Sequence, residues 1–169
     1  MRALRIGPVL VAGWLASSAA GQQPAPPRCD AAEHDQFDFW VGEWEVRDTA
    51  DAVVGHNRVT RILDGCVLLE EWTSAGSSEG KSFNIYDRRT GMWHQTWVDN
   101  NGLRLDLSGG LEDGRMVLKG ETQSPEGAAL HRITFTPRDG TVRQLWESSQ
   151  DGGTTWTVLF DGSYSRPGG

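Results

Sequence analysis

The sequence predicts an all-β protein, a closed antiparallel up-and-down barrel of about ten strands with a short N-terminal helical turn. Apolar and β-branched runs alternate with Asp-Gly and Asn-Gly pairs, which favour tight hairpin turns. An open sheet of ten strands would leave two exposed edges, and closure into a barrel removes both. The predicted strands comprise residues 39–47, 53–63, 66–75, 81–88, 92–99, 103–108, 115–122, 129–137, 141–148 and 155–164.

The composition agrees with many strands and many turns. The 169-residue chain has room for one domain and contains 21 glycines, which we interpret as turn residues, and eight tryptophans. Its formal net charge is −7, and this negative charge repels phosphate backbones. We therefore expect no nucleic-acid partner, and we expect a monomer.

The first 21 residues are typical of a secretory signal peptide. Arg2 and Arg5 give a positively charged start, an apolar run spans residues 6–15, and small residues follow up to Gly21. The apolar run is shorter than the roughly 20 residues that a transmembrane helix needs. We expect a periplasmic or secreted protein that does not insert into a membrane after cleavage.

The folded domain is predicted to span residues 29–166. Residues 22–28 contain three prolines and are predicted to be an extended tether. Asp30 and Glu33 have the spacing of a capping box, which predicts a helical turn that ends near Phe37.

Cys29 and Cys66 are the two cysteines of the chain. Export would place them in an oxidising compartment, so we predict a disulfide that fastens the N-terminal segment to the start of a strand. The alternative is a pair of free buried thiols.

The first strand carries Gly42-Glu43-Trp44, which resembles the Gly-x-Trp signature of the calycin superfamily of lipocalins, fatty-acid-binding proteins and nitrobindins. In that superfamily the tryptophan closes one end of the barrel and a basic residue near the C-terminus packs across it. The resemblance implies these roles for Trp44 and Arg166. Three motifs, in residues 37–44, 93–99 and 149–156, resemble a family of secreted bacterial calycin-like proteins with no settled activity.

The nitrobindin-like members of the superfamily bind haem, but the residues here predict no cofactor. Their first-strand glycines are absent after Trp44, and the last predicted strand has no histidine to ligate iron. His34 and His56 are expected on the surface, which leaves His94 and His131 as interior candidates. The sequence has no H-x-H or C-x-x-C spacing, so no metal site is predicted.

A segment that matches the Asp-box pattern spans residues 149–156. A single copy cannot form a propeller, so we interpret Asp151 as a side chain that bonds to the amides of a hairpin turn.

Polar and aromatic residues alternate with period two on several predicted strands, and we expect them to line a cavity. Trp93 is expected as a further aromatic wall of that cavity. Such a mixture of apolar walls and a few polar groups suits a small, largely apolar ligand with a polar head. The predicted ligand-binding residues are Glu70, Trp72, Asn84, Tyr86, His94, Gln95, Trp97, Arg132, Gln144 and Trp146.

Two alternatives remain open. In the first, the protein is an enzyme of isomerase or hydrolase type that uses Glu70 or His94 as general base. In the second, it is a packed structural barrel without a ligand. In the packed barrel an interior ion pair between Glu70 and Arg132 would fix the strands.

Overall fold

The computed structural model describes residues 29–125 and 127–168, and these residues form a closed barrel of ten antiparallel strands. The predicted signal peptide and tether lie outside the described residues. Within the described part of the chain, no helix is long and apolar enough to cross a membrane. The strands are β1 (Gly42–Arg47), β2 (Val53–Ile62), β3 (Val67–Ser74), β4 (Glu79–Asp87), β5 (Met92–Asp99), β6 (Arg104–Glu112), β7 (Arg115–Ser124), β8 (Gly127–Arg138), β9 (Thr141–Ser149) and β10 (Thr157–Ser165).

The up-and-down topology is confirmed. Each strand pairs with its neighbours in sequence, and β1 pairs with β10 to close the barrel. This closing seam joins Glu45 to Ser165, Val46 to Tyr164 and Arg47 to Ser163. Closure leaves neither β1 nor β10 as an exposed edge strand.

The hairpin turns follow the sequence signals. Asp113 and Gly114 join β6 to β7, and Asp139 and Gly140 join β8 to β9. All four have positive φ, which is the backbone conformation that a two-residue hairpin turn requires. In the Asp-box segment, Asp151 Oδ1 accepts a hydrogen bond from the Thr155 amide at 2.9 Å. Hydrogen bonds from Thr155 and Ser149 lower the pKa of Asp151 to about 2.

The N-terminal segment differs from its prediction in detail. It forms two 3-10 turns, Ala32–Asp35 and Asp38–Trp40, and the cap of the first is Ala31 without a side-chain hydrogen bond. The predicted capping box is therefore wrong, because the turn starts one residue too late for Asp30 to cap it. His34, which was expected on the surface, is 2% exposed because its ring packs edge-on against Tyr86.

The two 3-10 turns, residues 32–40, close one end of the barrel, and we call them the plug. Phe37 and Trp40 are fully buried. Their rings lie 4.9 and 4.6 Å from the ring of Phe135, and Phe37 also packs edge-on against Trp93. Trp40 was predicted in the first strand but belongs to the plug, because the amide of Val41 still bonds to Asp38 and β1 begins only at Gly42.

The predicted disulfide between Cys29 and Cys66 is present, with the two Cα atoms 5.1 Å apart. It closes a loop over a sequence separation of 37 residues, which in the chain-entropy model stabilises the fold by about 4 kcal/mol. Arg61 adds an ion pair with Asp35 at 2.7 Å. The plug is thus fastened covalently and electrostatically, and the disulfide fits an oxidising, extracellular-type environment.

Trp44 and Arg166 make the contact that the resemblance implied. The guanidinium carbon of Arg166 lies 3.7 Å from the centre of the Trp44 ring, which is a cation–π geometry. An Arg166 Nη2–H also donates to the carbonyl of Val41 at 3.0 Å. Gly42 has a φ of +135°, and a Cβ at this position would lie 1.7 Å from Arg166 Nη1. A side chain at position 42 would therefore strain the backbone and displace the Arg166 guanidinium.

We expect Gly42→Ala to lower the free energy of unfolding by about 2–3 kcal/mol, through backbone strain and displacement of Arg166. Arg166→Ala should cost about 1–2 kcal/mol, because it removes the cation–π contact and its hydrogen bonds. The double variant should cost less than the sum, since both single changes displace the same guanidinium. Urea unfolding of the three variants measures this coupling.

Gly114→Ala is the matched control, because Gly114 also has positive φ but has open space where its Cβ would lie. Its cost should add to that of Arg166→Ala. Full additivity for the Gly42 pair would contradict the assigned contact.

Candidate ligand-binding cavity

The half of the barrel away from the plug contains a cavity with a volume of about 180 Å³. This exceeds the roughly 150 Å³ of an apolar cavity that holds benzene. Leu159 lines the cavity and is 50% exposed, so the cavity reaches the protein surface at this residue. The lining residues are Glu70, Trp72, Gln95, Trp97, Leu105, Ile133, Gln144, Trp146, Leu159, Phe160 and Tyr164.

Aromatic side chains form much of the wall, and two tryptophans among them rest on glycines of the neighbouring strands. Ring carbons of Trp97 occupy the place where a Cβ of Gly80 would be, at 2.2 Å, and Trp72 does the same at Gly55, at 2.6 Å. A larger residue at either glycine would push the indole towards the barrel axis. Glycine on the neighbouring strand therefore keeps the cavity open.

Glu70 is the carboxyl group of the cavity, and it is 4% exposed on β3. The Ser82 hydroxyl donates to its Oε2 at 2.6 Å, and the Asn57 amide donates to its Oε1 at 3.1 Å. Burial raises the pKa of Glu70 to about 7, although the two hydrogen bonds act in the opposite direction. Glu70 therefore changes its charge near neutral pH.

A chain of amide side chains continues from Glu70 towards the other wall. Asn84 donates to the Ser82 hydroxyl at 2.8 Å and to the carbonyl of Leu68 at 3.2 Å. Gln95 donates to Asn84 Oδ1 at 2.8 Å. Each of these side chains is buried and points into the barrel from β4 or β5. These hydrogen-bonded side chains hold the Glu70 carboxyl at one side of the cavity.

Asn57 carries the loose end of this network. Its Oδ1 atom is buried and has no hydrogen-bond partner. Half a turn of the amide would direct Oδ1 at a protonated Glu70 and provide an acceptor for the carboxylic acid proton. This rotation exchanges one hydrogen bond for another, because Oδ1 gains the acid proton and Nδ2 gives up its bond to Glu70 Oε1.

Tyr164 adds a second titratable group to the cavity. Its hydroxyl donates to Gln144 Oε1. Burial, together with the nearby Glu70 carboxylate, raises the pKa of Tyr164 well above its usual range. Tyr164 is therefore a neutral phenol that positions Gln144 and does not share its proton with solvent.

His131 lies beside the cavity, behind Trp146. The Trp146 indole N–H donates to His131 Nδ1 at 3.1 Å, and His131 Nε2 lies 2.9 Å from the Thr122 hydroxyl. Because Nδ1 accepts a hydrogen bond, the ring is neutral with its proton on Nε2. Burial also lowers the pKa of His131, so the residue provides no positive charge near Glu70.

Six of the ten predicted ligand-binding residues line the cavity. Asn84 does not line it but bonds to Ser82 and to the lining residue Gln95. Tyr86 and the expected wall residue Trp93 lie deeper, where Trp93 packs against Phe37 and both side chains belong to the core that surrounds the plug. These two expectations were misplaced along the barrel axis. The lining residues among the ten are Glu70, Trp72, Gln95, Trp97, Gln144 and Trp146.

The structure places His94 and Arg132 outside the cavity. His94 alternates with the buried Trp93 and Gln95, and its Nε2 atom lies 3.0 Å from the Thr90 hydroxyl on the exterior. Arg132 pairs with Glu147 at 2.9 Å and stacks over Trp156 at 4.3 Å. The interior ion pair between Glu70 and Arg132, which belonged to the packed-barrel alternative, is therefore wrong, and so are the placements of Arg132 and His94 at a cavity wall.

Sequence reasoning missed several residues of the site. Phe160 and Tyr164 have the same period-two spacing on β10 that identified the other walls, and Ser82 precedes Asn84 by two residues on β4. The alternation would have found these three. Asn57 also shares a face with Gly55 and Val59 on β2, but its contact with Glu70 depends on the pairing of β2 with β3.

Within the described ranges, no three histidine, cysteine, aspartate or glutamate side chains converge as a metal site would require. Comparison of the chain with protein-family models and with curated protein sequences found no significant match.

Glu70→Gln tests the titration of the cavity. The pKa of Glu70 is about 7 in the folded protein and near 4.5 in an exposed glutamate, so folding takes up a proton between these values. The free energy of unfolding should therefore fall as pH rises through this interval, by roughly 3 kcal/mol from this group. Glu70→Gln should match the wild type below pH 4.5 and exceed its stability above pH 7.

Urea unfolding of both proteins across this pH range provides the measurement. Glu71→Gln is the control, since Glu71 faces outward and pairs with Lys81 at 2.6 Å, and it should retain the fall. Parallel stability curves for the wild type and Glu70→Gln would show that the pKa of Glu70 is the same in the folded and the unfolded protein, and would contradict the prediction.

Proposed function

We propose that this chain is an exported, monomeric, calycin-like barrel that binds a small, largely apolar molecule in its cavity. The observation that carries the proposal is a space of about 180 Å³ that is walled by tryptophans and reaches the surface at Leu159. Ligand sites combine such apolar walls with a few placed polar groups, and here Glu70, Gln95 and Gln144 provide them. A packed structural barrel would fill this space with side chains.

The direction of closure supports the same function. The plug, the disulfide and the contact between Arg166 and Trp44 close the same end of the barrel. The opposite end carries Leu159 and Val158, which are both about half exposed. A ligand can therefore approach the cavity from this end, past Leu159.

Binding of toluene, benzyl alcohol and benzylamine should be measurable by tryptophan fluorescence, because three indoles line the cavity. Ile133→Phe adds a ring to the wall and should weaken binding at least about tenfold by filling the space. Ile85→Phe is the matched control on the outer surface and should bind as the wild type does. No response to any of the three probes, or equal weakening by both variants, would contradict the proposal.

A second candidate is an isomerase- or hydrolase-type enzyme with Glu70 as general base. It is favoured by one observation, a buried cavity carboxyl with a pKa of about 7, because a general base works best near the ambient pH. His94 no longer supports this candidate, since it faces outward.

The enzyme candidate predicts faster exchange of solvent deuterium into the methyl group of acetophenone, or faster hydrolysis of benzyl acetate. Nuclear magnetic resonance follows both reactions. The wild type should exceed Glu70→Gln by at least about 100-fold, which is the usual contribution of general base catalysis. Equal rates with the two proteins at matched occupancy would exclude the candidate for these reactions.

A further inference from the structure

The cavity has a carboxyl group and no basic partner for it. Among the described residues that line the space, Glu70 is the acidic residue, and none is lysine, arginine or histidine. The hydrogen bonds to Glu70 come from the neutral side chains of Asn57 and Ser82. An ionised Glu70 therefore lacks a counter-charge unless a ligand provides one.

Basic side chains on β8 and β9 are engaged elsewhere. Arg132 pairs with Glu147 on the outer surface, and Arg143 pairs with Asp161 there at 2.7 Å. His131 is neutral, because its Nδ1 atom accepts the Trp146 N–H. None of these three can neutralise Glu70 without breaking an existing contact.

The walls around Glu70 suit a positively charged ligand. Trp72, Trp97 and Trp146 line the same small space, and the electron-rich faces of indole rings attract cations. Gln95 and Gln144 offer amide groups close to the carboxyl side of the cavity. The whole chain is acidic, with a net charge of −7, which attracts cations and repels anions at long range.

We propose that the ligand is a small organic cation, an amine with an aromatic or apolar body, and that Glu70 is its counter-ion. This inference rests on the proposed binding function and specifies the chemical class of the ligand. In the empty barrel at pH 6, Glu70 is predominantly a neutral acid. When an ammonium group enters, Glu70 releases its proton to the buffer and the resulting carboxylate pairs with the ligand.

Proton release can be assigned to Glu70 because its neighbours do not titrate in the same range. Glu70 accepts hydrogen bonds from Asn57 on β2 and Ser82 on β4, and it interacts electrostatically with Tyr164 on β10. Of these three side chains Tyr164 alone ionises, and its pKa is raised well above its usual range. His131 is held neutral behind Trp146.

The experiment compares three ligands that share one ring and differ in charge, namely benzylamine, benzyl alcohol and benzoate. Isothermal titration calorimetry at pH 6, in buffers of different ionisation enthalpy, gives the affinity and the number of protons released. We expect benzylamine to bind at least about tenfold more tightly than benzyl alcohol, with release of roughly one proton per ligand. Benzoate should bind most weakly, and benzyl alcohol should release no protons.

Glu70→Gln should remove both the preference for benzylamine and the proton release, while benzyl alcohol still binds. Glu71→Gln, which changes the next carboxyl along β3 on the outer face, should behave as the wild type. If Glu70→Gln fails to fold, proton release by the wild type across the charge series decides the question alone.

The outcomes separate this inference from the proposed function. Equal binding of benzylamine and benzyl alcohol without proton release would overturn the cation assignment and leave the binding function intact. A preference for benzylamine that survives in Glu70→Gln would also overturn the assignment. Absence of binding by all three ligands would overturn the inference and count against the proposed function.

Discussion

The barrel depends on the short seam at which β1 pairs with β10. Three residue pairs form the ladder there, and without them both strands would be exposed edges. The seam is reinforced just beyond the ladder, where Arg166 stacks on Trp44 and bonds to the backbone that leads into β1. Tyr164 belongs to the same seam and directs its hydroxyl at Gln144 in the cavity. The last strand, β10, therefore both closes the sheet and contributes side chains to the cavity.

Much of the fold could be predicted from the sequence, because strand periodicity and turn chemistry are local. Positive φ at Asp139 and Gly140 follows from the preferences of these two residues, whatever surrounds them. The side-chain faces were harder to predict. On β5, Gln95 and His94 are adjacent and cannot both point inward, so only one of these two predictions could hold. On β8, the alternation separates Arg132 from Ile133, but it does not say which of the two faces the interior.

The position of the cavity along the barrel axis could not be predicted, because it depends on where the N-terminal segment docks. Trp93 and Trp97 have the same spacing signal on the same face of β5. Phe37 packs against Trp93 and fills that half of the barrel, while Trp97 lies on Gly80 and lines the cavity. The sequence contains the plug and its disulfide, but the end of the barrel that they occupy is set by long-range packing.

The polar groups around Glu70 support the proposed binding function over a packed barrel. Burial of an ionisable carboxyl costs free energy, and Asn57, Ser82, Asn84 and Gln95 offset this cost only in part. For stability alone, apolar side chains of similar volume would serve as well or better at these positions. The network instead holds the Glu70 carboxyl at a fixed place in an aromatic-walled space, where, under the proposed function, its protonation changes when a ligand binds. Under the proposed function, that arrangement is costly in an empty barrel and becomes favourable once a cationic ligand binds.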